Sequence, residues 1–409
     1  MLKEPVGILG FGVEGKSTLN FLQNKGVKDI HIFDQKNGEN YLDNLSECKT
    51  IVRSAGVYPL QKEILNAQLK GAMLTSQIEL FFELYPHNKI IGVTGTLGKG
   101  TCVSMISHCL KALNVPHSVG GNFGVPALDL LQDKDSIAVL ELSSFQLMTL
   151  GASPHIGIVL HTSSEHLDWH ASVEQYRDAK ANLVRWQKRT DYCIYNAISE
   201  GAAQIAAESS GIKKTFGASA NTNLPLHLPE HQLQNMAAAV LALECAGMDA
   251  SLCAEALKSY EGLPYRLQNI GTKKIKNKTL TFYNDSYSTR PEAAIAAAKA
   301  MDKPFTMILG GSEKNADFTE LAQTLAKNSL LKGIALMGAT AERMQKKMQN
   351  ENCKADMIFF ENLATAFEWC LEKTPDNGAV LLSPACASFG LFANYKERGD
   401  KFNELYCAF

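Results

Sequence analysis

The chain has 409 residues, with 40 Lys and Arg against 42 Asp and Glu, and a formal net charge of −2 with its ten histidines neutral. That length predicts two to four domains at roughly 100–200 residues each, and 45% hydrophobic with 20% charged residues excludes a disordered chain. The balanced charge excludes a polyanion binder held by bulk electrostatics, so no nucleic acid is expected, and no apolar run is long enough to predict a membrane span.

Short apolar runs alternate with helical patterns, the sign of parallel α/β domains, and they fall into three series. The first predicts a strand over 6–9, a helix over 16–25 and a strand over 29–33 that ends at Asp34. Between strand and helix stands Gly10-Phe11-Gly12-Val13-Glu14-Gly15, a G-x-G-x-x-G whose last glycine precedes Asp34 by nineteen residues. Such a turn lets backbone approach a pyrophosphate at a helix N-terminus while the acid meets a ribose hydroxyl. It suits NAD or another diphosphate such as a UDP-sugar, and a turn that only packs strand on helix has the same pattern.

The second series predicts strands over 89–93, 136–142, 155–160, 191–195 and 213–216, and helices over 99–113, 230–247 and 251–260. Its first turn, Thr94-Gly95-Thr96-Leu97-Gly98-Lys99-Gly100-Thr101, offers loop amides and a lysine at a helix start, a cradle for nucleotide phosphates. It departs from G-x-x-x-x-G-K-[ST] at Val93 and at Gly100, where a Mg²⁺-binding hydroxyl is expected; Thr101 carries one a residue later. Glu141 ends a buried strand downstream of that loop, where a carboxylate can hold Mg²⁺ directly or through water. The segment 161–170, with His161, Glu165, His166, Asp168 and His170, suits metal binding or proton transfer, or only loop hydrogen bonding, and a helix carrying Lys180 follows.

The third series predicts strands over 280–284, 305–309, 333–337, 357–360 and 379–382, helices over 291–301 and 318–326, and a final helix. Cys386 in Ser383-Pro384-Ala385-Cys386 invites a nucleophile reading, but no histidine occurs in the last 178 residues to activate it. The ten cysteines stand singly without a C-x-x-C pair, and the N-terminus lacks the regions of a signal peptide. Both point to reduced thiols and a cytoplasmic location. The expected domains are 1–86, 87–263 and 264–409.

Taken together, Glu141-Leu142-Ser143-Ser144-Phe145-Gln146-Leu147, His166-Leu167-Asp168, Gly262-Leu263-Pro264-Tyr265-Arg266, Asn284-Asp285-Ser286, Leu309-Gly310-Gly311 and Leu382-Ser383-Pro384-Ala385-Cys386-Ala387-Ser388 resemble the Mur ligase family across essentially the whole chain. The last of these segments is similar to the glutamate-adding branch. The resemblance implies an α/β protein of three domains: a Rossmann-like N-terminal domain for UDP-sugar, a P-loop ATPase-like central domain, and a Rossmann-like C-terminal ligase domain. It also implies a monomer whose partners are small molecules.

The implied reaction is the ATP-dependent joining of glutamate, D-glutamate first, to UDP-N-acetylmuramoyl-L-alanine through an acyl phosphate. The alternatives are a related amide ligase using L-glutamate or another acceptor, and a catalytically silent nucleotide-binding relative. Residue by residue, the resemblance assigns Gly95, Thr96, Gly98, Lys99, Gly100, Thr101, His231, Asn235, Arg266 and Asp285 to ATP. It assigns Gly10, Phe11, Gly12, Val13, Asp34, Ser54, Gly56, Asn122, Ser143 and Gln146 to the UDP-sugar. Thr289, Lys314, Ser388 and Tyr395 match positions that receive glutamate.

Two Mg²⁺ ions are implied, one at Glu141 with Thr101 and one at His166 and Lys180, the lysine carrying a carbamate. Lys99, His166, Lys180 and Lys314 are the implied catalytic set. Three positions depart from the family: Leu97 and Gly100, where Asn and Ser or Thr are usual, and Tyr287, where Lys is usual.

Overall fold

The structure is a computed structural model that describes residues 2–163, 169–217, 230–312 and 316–409. Sixteen strands among the described residues form three sheets. The chain divides into two compact units, Met1–Tyr260 and Glu261–Phe409.

The first unit holds two sheets. Strands β1 (Val6–Leu9), β2 (Ile30–Phe33), β3 (Thr50–Arg53) and β4 (Met73–Ser76) are all parallel and lie in the order β2-β1-β3-β4. Strands β5 (Ile90–Thr94), β6 (His117–Gly121), β7 (Ile137–Glu141), β8 (Ile156–Val159), β9 (Tyr192–Asn196) and β10 (Ile212–Phe216) are also parallel, in the order β10-β9-β8-β5-β7-β6. Alternating side chains bury both faces of this second sheet, as parallel sheets require. On β7, Ala138 and Leu140 enter one core and Val139 the other. The first of these cores also contains Val6, Ile8, Val52, Ile78 and Phe81, so the two sheets share hydrophobic packing.

The second unit is built on β11 (Gln268–Ile275), β12 (Lys278–Asn284), β13 (Phe305–Gly310), β14 (Leu331–Met337), β15 (Asp356–Phe360) and β16 (Ala379–Leu382). Their order is β11-β12-β16-β13-β14-β15, parallel except for the β11–β12 hairpin. On β13, Met307 and Leu309 enter one core and Ile308 the opposite one.

Strand order reverses in every sheet beside a strand that ends in a sequence motif. The glycine turn at residue 10 leaves β1 where it adjoins β3, the loop at residue 95 leaves β5 between β7 and β8, and Gly310-Gly311 leaves β13 beside β16. Crevices of this kind, outside the carboxyl ends of parallel strands, are where open α/β sheets bind ligands.

The predicted strands of all three series are present within one or two residues, but the first helix begins earlier than expected, at Val13, and runs to Asn24. All ten cysteines are free thiols, as expected. Among the described residues, no helix is long and apolar enough to cross a membrane.

Candidate active site

The first turn is held open by polar contacts beneath it. Gly10 adopts φ +86°, and a side chain there would meet Ser54 Cβ at 3.1 Å. Ser54 Oγ donates to the Gly10 carbonyl at 2.8 Å, and the Phe11 N–H donates to Asp34 Oδ2 at 2.6 Å. Asp34 also receives the Lys36 N–H, and these two backbone donors hold its carboxyl below the usual range. Gly12 and Gly56 face open space, and Val13 is 73% exposed, which leaves the cradle bare. Asp34 is thus a brace of the turn as well as a candidate ligand contact.

Sequence reasoning missed the two residues that join this turn to the second sheet. Glu14 accepts from the Ala55 N–H through Oε2 at 2.7 Å and from Gln146 Nε2 through Oε1 at 2.9 Å. Gln146 in turn forms a capping box with Ser143 at the start of the short helix after β7. Arg53 is almost fully buried. It donates through Nη1 to the carbonyls of Ser54, Ala55 and Val57, and through Nη2 to the Phe145 carbonyl at 3.0 Å and Thr149 Oγ1 at 3.2 Å. Burial draws its pKa down to about 10, with Glu14 opposing. The signal for Glu14 was its place inside the glycine motif. Arg53 had only its position before Ser54.

The second turn enters the helix Lys99–Ala112 through Gly98, at φ +87°. A side chain at Gly98 would meet Asn235 Oδ1 at 2.6 Å, so Asn235, on the helix Glu230–Cys245, lies directly on the loop. Lys99 Nζ donates to the carbonyls of Gly95 (2.9 Å) and Thr96 (3.0 Å). Lys180, on the helix Val173–Arg185, is buried and donates to the same Gly95 carbonyl at 2.9 Å and to Thr94 Oγ1 at 3.3 Å. Its ammonium lies 4.7 Å from the centre of the Tyr176 ring, whose hydroxyl meets Thr96 Oγ1 at 3.1 Å. Two lysines therefore converge on one carbonyl of the phosphate loop, an arrangement that sequence spacing could not show.

Glu141 is buried at the end of β7, directly opposite Val93 of β5. Asn122 Nδ2 donates to its Oε1 at 2.6 Å, while Oε2 is buried with no hydrogen-bond partner among the described residues. A buried carboxylate oxygen left without a donor is costly unless a cation meets it. The donor set therefore fits a hard divalent ion.

Thr101 is half-buried at the start of the same helix as Lys99, and Leu97 is 42% exposed on the loop. His170 is buried, with Nε2 3.0 Å from Ser144 Oγ, and its ring packs against Phe145 and Tyr176. The sequence places it in the 161–170 cluster suited to metal binding, proton transfer or loop hydrogen bonding; in the structure its ring packs on Tyr176, the same ring that Lys180 approaches. His166 and Lys314 lie outside the described residues, and of His231 only the backbone is described.

In the second unit, Asp285 follows β12 and is buried. It accepts from Ser383 Oγ at 2.6 Å and from the Leu267 N–H at 2.8 Å, and burial pushes its pKa up to about 6. Its oxygens serve the fold of this unit, tying β12 to the segment after β16. Arg266 stacks on the Tyr287 ring at 3.8 Å, and Tyr287 meets Tyr395 edge-on at 4.8 Å. Tyr287, where the resemblance expects a lysine, thus holds an arginine in place by a cation–π contact.

Ser388 is buried and lines a small cavity with Gly310, Gly311, Pro384 and Arg398. Arg398 donates to Ser286 Oγ, to the Ser286 carbonyl and to the Cys386 carbonyl. Thr289 follows the same loop, its N–H donating to the Tyr287 carbonyl.

The Mur ligase middle domain model matches residues 93–280, and the Mur ligase, glutamate ligase domain model matches residues 265–386. The UDP-N-acetylmuramoylalanine–D-glutamate ligase of Hydrogenobaculum sp. (strain Y04AAS1) is 31% identical, covering 97% of this chain and 97% of that one. The ligase of the same name from Acetivibrio thermocellus is 30% identical over 98% of this chain and 95% of its own. Among solved structures, UDP-N-acetylmuramate-alanine ligase from Thermotoga maritima has the same fold, with TM-score 0.62, 17% identity and coverage of 98% and 99%. A phosphate loop at a sheet's switch point and likeness over the full length lead to one conclusion: the chain belongs to the Mur ligase family, ATP-dependent ligases that form amide bonds.

Proposed function

We propose that the protein joins D-glutamate to UDP-N-acetylmuramoyl-L-alanine, consuming ATP, as a step in peptidoglycan precursor synthesis. The observation that carries this reading is the convergence of Lys99 and Lys180 on the Gly95 carbonyl, beside the strand that ends in Glu141. Full-length relatives named for that reaction supply the substrate.

A carboxylate does not condense with an amine in water. The alanyl carboxylate therefore attacks the γ-phosphorus of ATP, ADP leaves, and an acyl phosphate forms. The amine of glutamate attacks the acyl carbon and loses a proton, and phosphate departs with the bonding electrons. One anion must approach another in both steps, so charge neutralisation governs the rate. Lys99 and the loop amides would hold the ATP phosphates, with Asn235 beside Gly98 leaving no room for a side chain there. The Gly10 turn, braced by Asp34 and Ser54, would hold the UDP diphosphate, with Phe11, Gly12, Val13 and Gly56 around it. Asn122 would orient Glu141, and Gln146 and Ser143 would face the sugar arm.

Mg²⁺ would be held by Glu141 with Thr101, and a second ion by His166 and Lys180; the ions supply Lewis-acid neutralisation of phosphate and carboxylate oxygens. Lys180 would act as its carbamate, formed when the neutral amine adds CO₂ and releases a proton. In the third of the proposed domains 1–86, 87–263 and 264–409, Arg266 matches a nucleotide-side position of the family, and Thr289, Lys314, Ser388 and Tyr395 match positions that receive glutamate. The test is phosphate release from ATP with UDP-N-acetylmuramoyl-L-alanine, Mg²⁺ and each glutamate enantiomer.

A further inference from the structure

A second cluster of ligating side chains lies at the other edge of the second sheet. His87 lies just before β5, His155 immediately before β8 and Asp191 immediately before β9, and these three parallel strands are neighbours. Their amino ends therefore share one edge, while the phosphate loop and Glu141 follow the carboxyl ends. His87 Nε2 lies 2.9 Å and His155 Nδ1 2.8 Å from the same oxygen, Asp191 Oδ1. The three ligand atoms all fall within 4.8 Å of one another, and no other group of three or more His, Cys, Asp or Glu among the described residues does so.

We propose that His87, His155 and Asp191 form a zinc-class metal site, separate from the nucleotide site. Two imidazoles and a carboxylate are a donor set that borderline-soft divalent ions prefer over Mg²⁺. Asp191 is 1% exposed, and its other oxygen is fixed by the Lys188 N–H at 2.7 Å, the outer-shell anchor that orients a ligating carboxylate. The His155 ring is held edge-on by Tyr192 at 5.6 Å. The histidines are 36% and 22% exposed, which leaves room for a water as fourth ligand and a path for the ion.

A tetrahedral ion with bonds of about 2.0–2.1 Å sets its ligand atoms roughly 3.3 Å apart, so each histidine nitrogen needs to part from Asp191 Oδ1 by only about half an ångström, and the two nitrogens already lie within 4.8 Å of each other. Binding transfers the proton of each coordinating nitrogen to solvent or to the outer ring nitrogen. The ion would tie together the starts of three strands, and its role is structural: His87 lies in the segment that leads from the helix Gln77–Leu84 of the first sheet into β5.

The test is a titration of the whole protein with Co²⁺ in the presence of Mg²⁺, read by ligand-field absorption, followed by displacement with Zn²⁺. The expected result is one equivalent of a tetrahedral Co²⁺ spectrum that Zn²⁺ abolishes. Affinity should fall at least tenfold in His87→Ala and in His155→Ala, and should be unchanged in Glu141→Gln. Circular dichroism identifies any variant that fails to fold, and His87→Gln then replaces it. A wild-type protein without a tetrahedral spectrum, or one whose spectrum survives both histidine changes or disappears with Glu141→Gln, would overturn the proposal. None of these readouts depends on ligase activity.

Discussion

Burial of Asp285 gives this residue a pH signature. Its pKa rises from 3.8 to about 6 because burial disfavours the charged form. Between those values the folded chain keeps a proton that the unfolded chain has lost, so stability is full below pH 4 and declines as pH rises toward 6. At roughly 1.4 kcal/mol per pH unit this amounts to about 3 kcal/mol. Asp285→Asn keeps acceptor and shape, and the unfolding free energy of the variant should be flatter across that window; an unchanged slope assigns it to other groups. Arg53 makes the opposite kind of contribution. Arg53→Met removes a donor from the part-buried carbonyls of Ser54, Ala55, Val57 and Phe145, at a cost of about 3 kcal/mol in denaturant unfolding. At Lys180, the carbamate reading predicts that Lys180→Ala loses most phosphate release and regains part of it with a short carboxylic acid. Full activity in the variant removes Lys180 from the site.

At the scale of elements, the phosphate loop depends on one glycine. Gly98 and Gly26 have similar left-handed φ, +87° and +78°, but of the two only an added Cβ at Gly98 would meet a neighbour, Asn235 Oδ1 at 2.6 Å. Alanine at either position costs about 1 kcal/mol of backbone strain. Gly98→Ala should also weaken ATP binding at least tenfold by calorimetry, whereas Gly26→Ala should leave it intact; equal effects would mean that the contact is unimportant. The same contrast explains what could be read from the chain. Strands such as β5, β7 and β13 are continuous apolar runs buried on both faces, so they are visible in sequence. The edge strand β11, Gln-Asn-Ile-Gly-Thr-Lys-Lys-Ile, has half-exposed residues throughout and no run, and β6 ends in two glycines. Both escaped the sequence reading. So did β3, whose final residue is a buried arginine, the kind of side chain least expected inside. Motif residues were legible where chemistry dictates spacing along the chain, as at Lys99. The meeting of Lys180 with Gly95 comes from sheet order and was not legible.

For the whole molecule, the proposed function has a near-neutral chain take several small anions, each met locally. The first sheet offers a bare glycine cradle, the second a phosphate loop with two lysines and a cation-seeking glutamate, and the second unit an arginine held on a tyrosine. Glu14 and Arg53 connect the Gly10 turn to the sheet that carries the Gly95 loop, so the two proposed ligand-binding elements of the first unit are parts of one packed body. The most direct test of the central claim is phosphate release from ATP by the purified protein with Mg²⁺ and UDP-N-acetylmuramoyl-L-alanine, D- and L-glutamate run side by side. The account predicts release that requires the UDP-substrate and D-glutamate together; no release with either enantiomer would contradict it.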